Sequence, residues 1–313
     1  MSPAKAVVVR GSEVATFRQC PLLHKIRWEE EWAKPEDSFA SDLGTCWHLV
    51  MGSHYLAIQD HQREGGKLKI GKVAQQNVLD TVDAVIETRI AEDKRELIDW
   101  MYDGHIDQYG FDEPWEVLAV EEHKVVPWPA VHHIDIVPPA LDLQFFYSWT
   151  SDLVVRDHSM RHKPALVIDQ KSTGNVLRQE DIDLSDQLGM YTWAERQDGV
   201  KVLAPLHRQA HTKRLKRAQT LSERFAENYS HRTDIELNNI AREILDVAVK
   251  LHTETRPYSS PDPRTCSWKC DFKDVHLYMR RSKNPYEIPA RVLRARGYVR
   301  RAVPSGHDQI QQP

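Results

Sequence analysis

The chain has 313 residues, 41% of them hydrophobic and 28% charged, with a formal net charge of -4. That balance belongs to a globular protein with a real core and excludes both wholesale disorder and a general polycation. No apolar run is long enough to cross a bilayer, and the opening MSPAKAVVVRGSE lacks the apolar stretch of a secretion signal. A cytoplasmic protein without a membrane partner is therefore expected.

Ser12 to Trp28 reads as a short capped helix that breaks at Cys20-Pro21. A second helix is expected from Ser41 to about Gln59, before the loop signal Gly65-Gly66. From Lys72 to Met101, Leu79, Val82, Ile86 and Ile90, then Leu97 and Met101, recur at helical spacing. The composition then turns to that of strands at Glu116 to Val126, Phe145 to Val155 and Ala165 to Gln170. The last two are joined by the polar turn RDHSMRHKP, which predicts a hairpin. A helix follows from about Glu180 to Arg196, then a short strand at Val200 to Leu206. Ser222 to His252 reads as one amphipathic helix with Leu237, Ile240, Ile244, Val247 and Leu251 on one face. This order fits one α/β domain over 1–302: a helical part at about 12–105, a catalytic core at about 113–206 and a C-terminal segment at about 207–302. Residues 303–313 read as a loose tail.

Asp152 opens the segment DLVV, and Asp169-Gln170-Lys171 closes LVIDQK. Neighbouring antiparallel strands can bring these ends together, and alternation places Asp169 and Lys171 on one face. Two carboxylates then hold Mg²⁺ or Mn²⁺ through hard oxygen ligands, while the ammonium orients water or steadies a phosphorane-like transition state. D-x-K alone is a weak signal, since carboxylate–lysine pairs at strand ends are common. Asp169, however, follows the apolar run Ala165 to Ile168, and a carboxylate ending a buried strand needs a partner or a metal.

These residues resemble the PD-(D/E)XK nuclease superfamily, in particular its RecB-like exonuclease branch, which includes CRISPR-associated Cas-four and phage exonucleases. Further pieces occur in the family's order over roughly Ser12 to His276. Gly44 to His48 is similar to the G-x-x-x-H helix, which implies that His48 is a metal ligand. Glu121, with Glu122 as the nearby alternative, matches a recurrent strand glutamate. Gln187 and Tyr191 match Q-x-x-x-Y on the helix after the lysine, where residues i and i+4 share a face. Ser151 stands where the family usually has glycine before the first aspartate. The resemblance implies a mixed central sheet flanked by helices, and a metal held by His48, Asp152, Asp169 and the backbone carbonyl of Gln170. It also implies a metal-dependent DNA exonuclease acting on ends or single strands in recombination, repair or CRISPR-type processing, with protein partners from those pathways. An endonuclease or nickase with the same site, and a catalytically weak DNA-binding accessory protein, are the alternatives.

Four cysteines in such a chain argue against a disulfide framework, and the close pair Cys266 and Cys270 points to a metal or cluster. The resemblance implies that Cys20, Cys266 and Cys270 hold a [4Fe–4S] cluster with His276 where the final cysteine would fall. The same four groups suit Zn²⁺, and packing is a third reading. Cys46 is expected to be a buried, unbridged thiol. His207 to Arg217 gathers Arg208, Lys213, Arg214, Lys216 and Arg217 without an acid, which in a net-negative chain points to a DNA phosphate groove. Arg280 to Arg301 forms a second basic stretch, in which Tyr286 and Tyr298 are candidates to stack on bases or to pack.

Overall fold

The computed structural model describes residues 5–35, 42–111, 113–214, 219–253, 266, 270–284 and 287–300. The chain divides into two compact units. One comprises Met1–Glu36, Val125–Ser148 and Ala241–Pro313; the other comprises Asp37–Lys124 and Trp149–Ile240.

In the first unit, strand β1 (Lys5–Arg10) runs parallel to the opening half of strand β4 (Leu143–Asp157), Lys5 opposite Leu143 through Arg10 opposite Ser148. Helix α1 (Gly11–Gln19) ends at Cys20, and helix α2 (Pro21–His24) begins there. The break follows from the chemistry of the pair: proline suits a first helical turn, and the Cys20 thiol accepts a hydrogen bond from the Leu23 N–H at 3.4 Å. Strand β2 (Trp32–Ala33) pairs antiparallel with Val299–Arg300. Cys20, Leu22, Leu23, Ile26 and Trp32 share a core with Phe272, Val275, Met279 and Leu293, so distant stretches of sequence bury one another here.

The second unit is a mixed sheet between helices. Helix α3 (Leu43–Arg63) starts on Asp42, whose carboxylate accepts the Thr45 N–H at 3.1 Å. The single helical pattern expected from Lys72 to Met101 is two helices, α4 (Lys72–Arg89) and α5 (Glu92–Tyr109). Ile90 and Ala91 between them are extended; the seven-residue step from Ile90 to Leu97 keeps helical phase and hides the break. Gly110, at φ 69° and ψ -157°, ends α5 in a conformation that only glycine takes cheaply.

Strand β3 (Trp115–Pro127) pairs with β4. The closing half of β4 pairs antiparallel with strand β5 (Ala165–Thr173), Leu153 opposite Ile168. Helices α7 (Gln179–Asp183) and α8 (Asp186–Gln197) follow β5, after a short helix α6 (Ala130–Ile136) earlier in the chain. They form the crossover that lets strand β6 (Val202–His211) lie parallel to β5, since parallel neighbours cannot be joined by a tight turn. One sheet face, with Leu153, Val155, Leu166, Ile168 and Leu206, packs on Trp47, Val50 and Met51 of α3. The other, with Ala119, Val154, Ala165, Val167 and Val202, carries Tyr191 of α8. Both faces being covered explains the unbroken apolar run Ala165–Ile168.

Ser222 to His252 is not one helix. After a four-residue helix α9 (Leu221–Arg224), Phe225–Tyr229 forms strand β7, antiparallel to β6, and helix α10 (Asp234–Thr253) begins only later. The start of α10 has a sequence signature: Thr233 and Glu236 form a capping box, the Glu236 carboxylate accepting the Thr233 N–H at 2.7 Å. Pairing with β6 made the strand, which helical periodicity around it had masked. Among the described residues, no helix is long and apolar enough to cross a membrane.

Candidate active site

The β4–β5 hairpin sets the site. With Leu153 opposite Ile168, Asp152 falls beside the end of β5, where its Oδ2 accepts the Gln170 backbone N–H at 2.8 Å. Asp169 and Lys171 project from one face of β5, and Lys171 Nζ lies 2.8 Å from Asp169 Oδ1. From α3, His48 Nδ1 reaches to 3.4 Å from Asp152 Oδ2 and 3.6 Å from Glu121 Oε1.

Glu121 arrives there through a backbone irregularity. Along β3 the alternation fails where Ala119 and Val120 are both buried, and Glu121 has φ 46°, rare outside glycine. Such irregularities re-aim a strand side chain. Helix α3 is tied to β3 next to this point: Gln62 accepts the Val117 N–H at 2.8 Å and donates to the Trp115 carbonyl at 2.9 Å. Gly52, one turn beyond His48, leaves room for the glutamate, since a Cβ there would meet Glu121 Cγ at 3.4 Å. Glu122 is exposed and lies 4.0 Å from Lys124.

One ligand atom each from His48, Glu121 and Asp152 lie within 4.8 Å of one another. Imidazole nitrogen with hard carboxylate oxygens is a donor set that fits a divalent cation. The electrostatics agree. Burial, together with the neighbouring Asp169 charge, pushes the Asp152 carboxyl up to about 6. Burial works against Asp169 as well, yet the His207 hydrogen bond and Lys171 hold it below the ordinary carboxylate range. The hydrogen bond to Glu121 raises His48 despite its burial. Lys171, opposed by burial, is raised by Asp169 and Asp152 and stays an ammonium. Burial pushes the Tyr191 phenol up to about 12, and Gln187 Nε2 donates to its oxygen at 2.8 Å.

Two features had no counterpart in the sequence reading. His207 of β6, treated there only as the start of a basic stretch, places Nδ1 2.8 Å from Asp169 Oδ2. Glu195 of α8, wholly buried, accepts from Trp149 Nε1 and Ser151 Oγ, each at 3.0 Å, and from Lys124 Nζ at 2.9 Å. Ser151 thus has a partner that glycine would lack. The signal was the spacing of Gln187, Tyr191 and Glu195, which are i, i+4 and i+8 on α8.

Arg208, expected on a DNA-binding surface, is instead buried. It is 2% exposed, donates to Glu113 at 2.7 Å and to Glu227 at 2.7 Å, and lies 3.8 Å from the Tyr109 ring centroid. β6 runs to His211, five residues beyond its expected end at Leu206, so Arg208 lies within the strand and its side chain turns into the core. Lys213 is exposed and donates to Asn175 at 3.0 Å, whereas Arg214 is paired with Glu96 at 2.6 Å. Lys216 and Arg217 lie outside the described residues, as do Tyr286 and Arg301. Tyr298 packs on Phe272, ring centroids 4.8 Å apart.

None of the described cysteines is in a disulfide; Cys20 and Cys46 are buried, Cys266 and Cys270 half-buried. Burial pushes the Cys270 thiol up, and the thiols of Cys266 and Cys20 add to this. They are not drawn together as a closed zinc cage requires: among the described residues the compact metal-type group is His48, Glu121 and Asp152 alone. His276, half-buried on the helix Lys273–Arg280, is pushed down by burial and by Arg280.

A family model for the PD-(D/E)XK nuclease superfamily matches residues 11–275. The chain belongs to the PD-(D/E)XK nuclease superfamily. For this PD-(D/E)XK chain, membership implies a metal-dependent nuclease acting on DNA, and the mixed sheet flanked by helices is consistent with that fold. No curated protein matches it. A solved structure described as "Crystal structure of SSO0001" is similar at 12% identity over 82% of this chain and 93% of that chain. Its TM-score is 0.32, a likeness too loose to carry an argument.

Proposed function

We propose that the chain is a Mg²⁺- or Mn²⁺-dependent DNA exonuclease of the RecB-like branch, acting on ends or single strands. The observation that carries this reading is the gathering of His48, Glu121 and Asp152 ligand atoms within 4.8 Å, beside the Asp169–Lys171 ion pair. His48, Glu121 and Asp152 would hold the ion, with Asp169 and the Gln170 carbonyl next to them. Bound there, it supplies charge neutralisation on the scissile phosphate and the departing oxygen. Lys171, fixed by Asp169, orients the attacking water or a phosphate oxygen. Tyr191 stays protonated, and because Gln187 donates to its oxygen, its own O–H remains to donate to the substrate strand.

The word exonuclease, the branch, and recombination or CRISPR-adaptation partners rest on the order of the sequence motifs. A time course on end-labelled linear and on closed circular DNA with Mg²⁺ or Mn²⁺ tests them. Loss of the linear substrate from its ends with the circle intact is the expected result. Nicking of the circle assigns an endonuclease, and binding without cleavage assigns an accessory protein.

We read Cys20, Cys266, Cys270 and His276 as ligands of a [4Fe–4S] cluster, whose four ligands stand further apart than those of one zinc ion. Cys20 and Cys270 pack in one core, which supports the reading. Brown, iron-containing protein from anaerobic preparation is expected; colourless protein with stoichiometric zinc decides for zinc. The domain is read as spanning 1–302, since the matched residues 11–275 draw on both compact units.

A further inference from the structure

We infer that His207 is the positioning residue of the metal site, locking the Asp169 carboxylate in the orientation the ion requires; this rests on the metal-dependent nuclease reading above. In the parallel register of β5 and β6, His207 lies directly opposite Asp169, so both side chains rise from one sheet face. Its Nδ1 is 2.8 Å from Asp169 Oδ2. An ionised carboxylate only accepts, so Nδ1 carries the hydrogen, and the contact also selects the ring's protonation pattern.

Both side chains are enclosed, His207 at 3% and Asp169 at 2% exposure. The other ring nitrogen, Nε2, is buried without a hydrogen-bond partner among the described residues. Among the described residues the polar bonding of the ring is directed at Asp169. Lys171 faces the other oxygen, Oδ1, at 2.8 Å. One oxygen is thus pinned by an N–H on a rigid ring, which opposes rotation of the carboxylate. The second oxygen is left towards Lys171. Without the ring, Asp169 would turn both oxygens towards Lys171 and lose its fixed presentation. Partners behind a metal-binding carboxylate act in this way, and their removal typically lowers metal affinity or activity about 10- to 100-fold.

The test is Mn²⁺ binding by calorimetry on the full chain without DNA, alongside cleavage and metal-free melting curves. His207→Asn keeps an N–H donor at the same bond count from Cα as Nδ1, whereas His207→Gln carries it one atom further. Asn is expected to hold the Mn²⁺ affinity of the unaltered chain. Gln and His207→Leu are expected to weaken it about 10- to 100-fold. Should Leu not fold, the contrast between Asn and Gln decides. The inference is overturned if Gln and Leu bind Mn²⁺ like the unaltered chain, or if Asn falls as far as they do. An unaltered chain that neither binds Mn²⁺ nor cuts DNA overturns the nuclease reading, and the inference with it.

Discussion

The backbone N–H of Gln170 donates to Oδ2 of Asp152 at 2.8 Å, joining the middle of the D-x-K motif to the carboxylate of the preceding strand. Through this bond the hairpin register itself holds two acids side by side, one pushed up to about 6 and the other held low. Chemistry at this spot should depend on charge rather than on bulk.

Asp152→Asn and Lys171→Ala are therefore expected to reduce DNA cleavage by at least about 100-fold while leaving the fold intact. Rates on labelled DNA, with circular dichroism as the control, check this. Unchanged rates in both variants would assign the activity to a contaminant.

Glu195 serves the same strand from behind. Its buried carboxylate gathers Lys124, Trp149 and Ser151, so Glu195→Ala removes one buried acceptor from three donors and leaves Lys124 to Asp198 at 3.0 Å. A loss of about 3 kcal/mol is expected in urea unfolding. A loss below about 1 kcal/mol would show that water replaces the carboxylate freely.

Arg208→Ala should behave as a core variant, destabilising by about 3 to 5 kcal/mol because Glu113 and Glu227 are left without their cation. Lys213→Ala should leave stability alone and weaken DNA binding with a reduced salt slope. Equal stability and weakened DNA binding in Arg208→Ala would return that arginine to the DNA surface.

Acid should destabilise the second unit through a histidine pair. His54 and His105 are wholly buried near the Arg208 guanidinium, their rings 5.3 Å apart. Burial, helped by Arg208, pushes His54 down to about 3, and burial lowers His105 too. With folded values below the unfolded value of 6.5, the unfolded chain takes up the proton first. This contribution is complete above pH 6.5 and is lost as pH falls towards 3. Neither His105 nitrogen has a hydrogen-bond partner among the described residues, so His105→Phe should flatten the profile and add about 1 kcal/mol at pH 7. Urea midpoints at pH 7 and pH 5 measure both; a steeper acid loss in the variant would contradict the assignment.

Asp152, Asp169 and Lys171 were legible because a strand's period of two is written in local order, and because an acid after Ala165–Ile168 conflicts with burial. Cys20-Pro21 as a helix break was legible for a similarly local reason. His207 and Arg208 were not: both sit in a polar stretch, and only pairing of β6 with β5 and β7 makes them interior. The same pairing turned Phe225–Tyr229 from a helical segment into a strand.

By itself the order of residues determined which neighbours share a face, since helical and strand periods are local properties of the backbone. Tertiary structure alone decided which oxygen of Asp169 meets His207, and that Glu121 turns to His48 at φ 46°. It also decided that Arg208 balances Glu113 and Glu227 rather than phosphate. Those outcomes depend on strand register and on burial between elements far apart in sequence, and no window along the chain contains them.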